Sequence, residues 1–569
     1  MISKEIIEEV KKRLVKTCIP VVIYSSLIVL FLFASCNGPL AKNQQEPAVV
    51  ITTISDFHGQ LEPAYVWGQD KTLQEQGGVS RLFTLLNSIR SEYQNKVLFF
   101  GSGDYFVEDF RVGKYFSAFG GQAIADFLNM LAIDASTIGN HEFDFGMESA
   151  DKALACCKFP LIATNLKNPE ILSSNAISKK LIVQKNGFKL GILGLMLTDP
   201  KGYGFSHDVS SAQRDVIKLE EDLYGVTQAA VNELSKQDKV DFVIVLSHLG
   251  VEGDKLLAEK VDGIDVICGG HDHAVIKKGQ EIVTNKPDGS QTIIVHPGDR
   301  GIYVGVMKLW PKQQGKLTYD WDLLEVNASI VQDQQCEQKL QYYKDLLPNN
   351  LTITTSTEPI DTSKHNLRTQ ENSFANFVAD IIKEHFEADI VLLNGSSFRG
   401  RGILPPGSVT ESALDDWFPF KDNTLIKVKA SGKVIKQALE LGVADLPGES
   451  RNLLHPSGLV YHVDLTKQSQ VLQKNDMHAI VGIKENGART IYAALQKVDG
   501  SLEPLRDDQE YFVIITAMMI QKQHFGAFFM FAQLPDLEDT KLTEKELLRA
   551  YLKRNTTISP NKLGRIKFV

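Results

Sequence analysis

The sequence predicts an α/β protein in two parts joined by a helix. Three observations predict it. The chain has 569 residues, more than the roughly 250–300 that one hydrophobic core organises. From Ala48 onward, short apolar runs alternate with longer amphipathic stretches, the pattern of strands and helices in layers. Residues 333–347 are charged, free of glycine and end at Pro348, which reads as a helix between two such regions.

In chain order, Lys11, Lys12, Arg13 and Lys16 precede an apolar run over 21–33, followed by Ala34, Ser35 and Cys36. A basic segment, a short apolar core and small residues form a secretory signal. The Cys directly after the small residues makes 1–36 resemble a bacterial lipoprotein signal, with lipid on Cys36 as the membrane anchor. The alternative is an uncleaved signal anchor, for which the run is short. Both place the globular part outside the cytoplasm, facing the periplasm or the cell exterior. Residues 37–47 are polar with Gly and Pro and read as a tether.

Strands are expected at Val49–Ile54, 97–100, 136–138, 242–246 and Val266–Cys268, and helices at 79–91, 123–131 and 219–235. This first region, 48–327, is followed by the linker helix within 328–350. A second α/β region, 351–569, opens with a helix at Ser373–Phe386 and a strand at 390–393, and has a further helix at 432–441. Internal repeats and low-complexity tracts are absent from the sequence.

Composition narrows the function. Hydrophobic residues make up 43% and charged residues 23%, the range of ordinary globular proteins. A net charge of -9 lacks the basic footprint of a nucleic-acid binder. The six cysteines, at 18, 36, 156, 157, 268 and 336, form neither a disulfide framework nor a thiolate zinc site. Any metal must be held by His and carboxylates. No obligate protein partner is expected.

Five short signatures answer that requirement. They are Asp56-Phe57-His58-Gly59, Gly103-Asp104, Gly139-Asn140-His141-Glu142-Phe143-Asp144, Ser247-His248 and Gly269-Gly270-His271-Asp272-His273. Each follows a candidate strand. Side chains at the carboxyl ends of strands in an α/β sheet converge on one crevice, and imidazole with oxygen ligands suits Zn, Mn or Fe. Singly each signature is weak; the glycines of Gly-Gly-His-x-His, which let backbone turn closely round a ligand, make it the strongest.

The ordered set resembles the calcineurin-like metallophosphoesterases, and Gly139-Asn140-His141-Glu142-Phe143-Asp144 has the form seen in the 5′-nucleotidase family. The resemblance implies a four-layer β-sandwich flanked by helices, linked by a helix to a smaller α/β C-terminal domain that recognises substrate. It implies two divalent metal ions, one held by Asp56, His58 and His273, the other by Asn140, His248 and His271, with Asp104 bridging. Such a centre stabilises the attacking and leaving oxygens of an in-line displacement at phosphorus. His141, next to Asn140, then faces the departing oxygen, and Asp144 holds its ring as an acid or transition-state stabiliser; Asp144 can equally cap a helix.

The second region carries the resemblance in three stretches. Asn394-Gly395-Ser396-Ser397-Phe398-Arg399 is like the family's Asn-Gly-Gly-Gly-Ile-Arg turn, and Phe418-Pro419-Phe420 with Asn423-Thr424 is like its Leu-Pro-Phe-Gly-Asn segment. Arg368 stands where the family has a phosphate-facing arginine. Arg368, Asn394 and Arg399 are therefore the implied substrate contacts, arginine's fork being suited to anions. The family also stacks a nucleobase between two aromatic rings. Here Leu425 stands at one of these positions, and Gln521-Lys522-Gln523-His524-Phe525 replaces the glycine-rich loop of the other, leaving Phe525 as the remaining ring. Ser373 replaces a usual Asn. The expected activity is phosphate removal from nucleotides, of the 5′-nucleotidase, UDP-sugar hydrolase or cyclic phosphodiesterase type. The alternatives are a thiosulfohydrolase-like enzyme of sulfur oxidation acting on a carrier protein, and a non-catalytic surface binding lipoprotein.

Overall fold

Two sheets stack face to face in the first half of the chain because their strands are apolar on both sides. The computed structural model describes residues 46–106, 114–172, 177–198, 216–313, 315–347, 351–399, 402–420, 423–474, 480–521 and 527–569. The expected signal 1–36 with Cys36, nearly all of the tether, and Phe525 lie outside the described residues. Among the described residues no helix is long and apolar enough to cross a membrane.

The first sheet has seven strands in the order Lys316–Glu325, Tyr303–Gln313, Val49–Ile54, Val97–Gly101, Ala135–Ser136, Leu161–Ile162, Ile177–Ser178. The second has six, in the order Ile282–Asn285, Gln291–Val295, Val266–Cys268, Phe242–Ser247, Phe188–Leu195, Leu181–Lys185. Alternate residues of each strand face opposite ways. Ile51, Leu98 and Phe100 of the first sheet therefore meet Ile192, Ile244, Leu246 and Val266 of the second in one core. Val50, Ile54 and Phe99 face outward against Leu82, Leu86, Phe127 and Leu128 of the helices Val79–Tyr93 and Gln122–Met130. Leu193, Val243 and Val245 pack outward on Leu257 and Ala258 of helix Gly250–Lys260. The result is the expected four layers.

The central strands run parallel, so their carboxyl ends share one rim. Two expected boundaries shift. The strand expected at 136–138 ends at Ser136, whose Oγ donates to the carbonyl of Thr137 at 2.7 Å, and the chain leaves the sheet toward Asn140. The helix expected at 219–235 begins at Leu223, where the Asp222 side chain accepts from Gly225 N at 2.9 Å, and ends at Asn232 with a π-turn after it.

The helix expected as a linker, Gln334–Leu346, is capped by Asp333, which accepts from Gln335 N and Cys336 N. It does not stand free. Cys336, Leu340 and Tyr343 enter the core of the first half, and Lys344 lies 2.9 Å from Glu62. Lys114 reaches the same carboxylate at 2.5 Å. Burial favours the neutral carboxyl, but the two lysines outweigh it and hold Glu62 at about 2, below its ordinary 4.5. A carboxyl depressed in the folded state contributes stability above its unfolded pKa, and loses it as pH falls through the folded one. Glu62→Gln is therefore expected to cost about 2 kcal/mol at neutral pH. In denaturant unfolding the difference from the unaltered chain should vanish as pH falls from about 4.5 toward 2.

Beyond the helix, a five-stranded sheet runs Leu454–Ser457, Ile390–Asn394, Glu510–Thr516, Thr424–Ser431, Glu538–Thr543. Helix Ser373–Phe386 covers one face through Phe374, Val378 and Ile382, and helix Gly432–Gly442 the other through Ile435, Ala438 and Leu439. The hairpin Ala64–Trp67/Leu73–Gln76 reaches this half, Trp67 Nε1 donating to Asp361 Oδ2 at 3.0 Å.

Candidate metal centre

All five signatures lie just past strands on the shared rim. Asp56 and His58 follow Val49–Ile54, and Asp104 follows Val97–Gly101. Asn140 and His141 come after Ala135–Ser136, His248 directly after Phe242–Ser247, and His271 and His273 after Val266–Cys268. Five of these residues hold left-handed backbone: Asp56 (φ 49°), His58 (51°), Asp104 (56°), His271 (85°) and His273 (59°). Residues with a Cβ pay for that conformation, and it persists where the surroundings over-determine it, as at functional sites. Two glycines are required by close approach: a Cβ on Gly269 would overlap His296 and Asp254, and one on Gly270 would overlap Ser55 Oγ.

The ligand atoms gather into two groups. Donors of Asp56, His58 and His273 lie within 4.8 Å of one another, as do those of Asp104, His248 and His271. His58 Nε2 and His273 Nε2 are 3.0 Å apart. Asn140 Oδ1 lies 3.2 Å from His248 Nε2 and 3.1 Å from His271 Nδ1. With metal–nitrogen bonds near 2.0–2.1 Å, neighbouring ligands of one ion stand ~3.0–3.4 Å apart. Asp104 supplies a further test. Its buried Oδ2 has no hydrogen-bond partner among the described residues, although His248 Nε2 is 3.0 Å away. The two atoms face each other as ligands of a common ion would. Carboxylate, imidazole and amide oxygen suit divalent Zn, Mn or Fe, so the residues fit two such ions.

Several orienting groups were not legible beforehand. His248 Nδ1 faces the carbonyl of Ser102 at 2.6 Å, and His273 Nδ1 lies 3.4 Å from Asp299 Oδ2. Ser55 Oγ donates to Asp56 Oδ2. Such partners fix ring orientation and tautomer. Glu142, inside a quoted signature but without an assigned role, is buried and accepts from the N–H groups of Gly139 (2.7 Å), Asp104 (3.1 Å) and Tyr105 (2.6 Å). It ties two ligand turns together. Ser102 and Asp299 carry no sequence signal, because any backbone carbonyl or nearby carboxylate could serve.

The site's charges are uneven. Burial pushes Asp56 up to about 6, with Asp104 adding to it against His248 and His273. Burial would also raise Asp104, but the imidazoles of His248, His141 and His58 hold it far below the usual carboxylate range. His141 Nδ1 is 2.7 Å from Asp144 Oδ2, and its Nε2 is 4.0 Å from Asp104 Oδ2. Burial opposes its charge, yet Asp104 and then Asp144 raise it to about 9. Its backbone N–H donates to Asp104 Oδ1 at 2.9 Å, and its ring sits edge-on to His58 at 5.2 Å. The ring is thus beside both groups and still partly exposed.

In the second half, the charges of Arg399 and of Arg451, a residue without a signature in the sequence, both act on Arg368. Burial, then the charges of Arg399 and Arg451, lower Arg368 to about 10, with Glu449 at 3.7 Å opposing them. The Arg399 guanidinium lies 4.8 Å from the centre of the Phe420 ring. Asn394 is buried, and its side chain braces its own turn, donating to Ser396 Oγ at 2.5 Å and accepting from Ser397 Oγ at 2.6 Å. Leu425 is fully buried in the core with Val391, Leu393 and Trp417. A cavity of about 340 Å³ opens beside His58, between Glu62 and Tyr115 of the first half and Leu404 and Trp417 of the second.

Comparison with known proteins follows this geometry. Residues 49–275 match the calcineurin-like phosphoesterase family, and residues 352–533 match the 5′-nucleotidase C-terminal domain. The chain is 25% identical over 532 residues to the trifunctional nucleotide phosphoesterase protein YfkN of Bacillus subtilis, covering 86% of this chain but only 34% of that protein. It is 28% identical over 435 residues to the 5′-nucleotidase of Mus musculus, covering 70% of this chain and 72% of the relative. In fold it is similar to the 5′-nucleotidase precursor from Thermus thermophilus, with a TM-score of 0.60 at 24% identity over 92% of this chain and 99% of that one. The chain belongs to the 5′-nucleotidase family of calcineurin-like metallophosphoesterases and is a phosphoester hydrolase.

Proposed function

We propose that this enzyme removes phosphate from nucleotides outside the cytoplasm. In this reading 48–327 is the catalytic domain, 328–350 the linker and 351–569 the substrate-recognition domain. The observation that carries the reading is the convergence of two groups of ligand atoms on Asp104, whose buried Oδ2 makes no hydrogen bond among the described residues and faces His248 Nε2 at 3.0 Å. Asp56, His58 and His273 would hold one divalent ion and Asn140, His248 and His271 the other, with Asp104 shared. Bound there, the ions supply Lewis-acid stabilisation of the phosphoryl group and a strong nucleophile at neutral pH.

The chain's own groups do the rest. His141, whose Nδ1 is held 2.7 Å from Asp144 Oδ2, donates its Nε2 proton toward the leaving oxygen. Arg368 and Arg399, with Arg451 beside them, attract the substrate's anionic end. The cavity beside His58 supports binding between the two halves, where closure excludes water. Export and a lipid on Cys36 rest on the N-terminal signal pattern.

One observation favours a second reading. Leu425 lies in the core, where a base-stacking ring would otherwise stand, and a thiosulfate-bearing carrier protein would need no base clamp. The test is phosphate release from nucleoside monophosphates, nucleotide sugars and simple sugar phosphates with added Mn or Zn, beside sulfate release from a carrier thiosulfate. Nucleoside monophosphates should turn over fastest. Turnover of the carrier thiosulfate alone would replace this reading with the second.

A further inference from the structure

His296 lies outside every signature, yet it is buried to 1% exposure behind the metal centre. It follows the strand Gln291–Val295. Its Nε2 is hydrogen-bonded to Asp254 Oδ2 at 2.8 Å, while its Nδ1 makes no hydrogen bond among the described residues and faces Asp272 Oδ1 at ion-pair distance, 3.4 Å. Asp272 stands between the two candidate ligands His271 and His273. Asp254 belongs to helix Gly250–Lys260, which starts two residues after the candidate ligand His248.

The two carboxylates make further bonds into the same turns. Asp254 Oδ1 accepts from Ser247 Oγ, and Asp272 Oδ2 accepts from Val251 N at 2.7 Å. The backbone closes the arrangement. Gly269 N donates to the carbonyl of Val295 at 2.9 Å, and Ile276 N donates to the carbonyl of His296 at 3.0 Å. Residues 269–276 are thus pinned at their base by 295–296, and in the middle by the His296 ring. Gly269 has no room for a side chain because His296 and Asp254 occupy that space.

We propose that His296 is a positioning residue: by bridging Asp254 and Asp272 it locks the turn bearing His248 to the turn bearing His271 and His273, so that three metal ligands are pre-aimed. The inference rests on the two-ion reading of the site. With one nitrogen bonded to Asp254 and the other facing Asp272, the ring adds a side-chain brace to the strand pairing and to the Val251 N–Asp272 bond that already bring the two turns together. Outer partners of this kind typically hold 10–100-fold in metal affinity.

The test is calorimetric Mn titration of the whole metal-free chain, with melting of the metal-free form measured alongside. His296→Gln keeps one hydrogen bond and similar bulk; His455→Gln changes another buried histidine, bonded to the Leu367 carbonyl in the second half, and serves as the control. The unaltered chain should bind two Mn ions. His296→Gln should bind them ~10–100-fold more weakly, with kcat recovering at high Mn. His455→Gln should keep the original affinity whatever its melting temperature. Unchanged Mn affinity in His296→Gln, or equal weakening in His455→Gln, overturns the positioning role. Fewer than two ions on the unaltered chain overturns the two-ion reading and this inference with it.

Discussion

His141→Ala is expected to lower kcat by 10²–10⁴-fold, the usual worth of one positioned proton donor, with metal content unchanged. The separation of effects follows from geometry. The His141 ring lies beside both ligand groups, but its Nδ1 is taken by Asp144 at 2.7 Å and its Nε2 stands 4.0 Å from the nearest Asp104 oxygen. Removing it leaves the proposed ligand set whole. Asp144→Asn should produce a smaller loss, because the amide can still orient the ring but no longer favours its charge. Steady-state phosphate release with metal analysis on the same samples checks both. A His141→Ala enzyme with full activity would sink the proton-donor role.

Asp104→Asn is expected to be damaging in a different way. Asp104 is 1% exposed, its Oδ2 faces His248, and its Oδ1 accepts the His141 backbone N–H. Asparagine keeps the shape but loses the charge that two ions would share. Activity should fall by at least the ~10²–10³ that loss of one charge-stabilising group costs. The stabilisation that metal confers on folding, about 2.7 kcal/mol at a hundredfold excess over Kd, should shrink with it. Denaturant unfolding with and without Mn measures this. Equal metal stabilisation in the two proteins would rule out a shared ligand at 104.

How far the site was legible before the fold can be traced residue by residue. Asp56, His58, Asp104, Asn140, His248, His271 and His273 were named from short signatures after apolar runs, and the structure brings all seven together. They converge because parallel strands deliver their carboxyl ends to one rim. The second half was less legible. Arg368 feels the charge of Arg399, and also that of Arg451, which lies in a turn that carries no pattern. Asn394, expected to contact substrate, spends its side chain on its own turn. The linker helix was placed to within one residue at each end; its docking through Cys336, Leu340 and Tyr343 was not foreseen.

From the residues alone came the layered α/β class and the His, Asp and Asn donors with their order along the chain. These are local properties, since periodicity, glycine spacing and donor chemistry lie within a few neighbouring positions. Only the tertiary structure decided which atoms meet. His58 and His273 face each other at 3.0 Å across 215 positions, through the register of sheets stacked on an apolar core. The same packing imposes left-handed backbone on five of the candidate ligands, leaves Asp104 Oδ2 facing His248 without a hydrogen bond, buries Leu425 and sets His296 behind those turns. Contacts between distant residues depend on how sheets stack, and no short stretch of sequence carries that information.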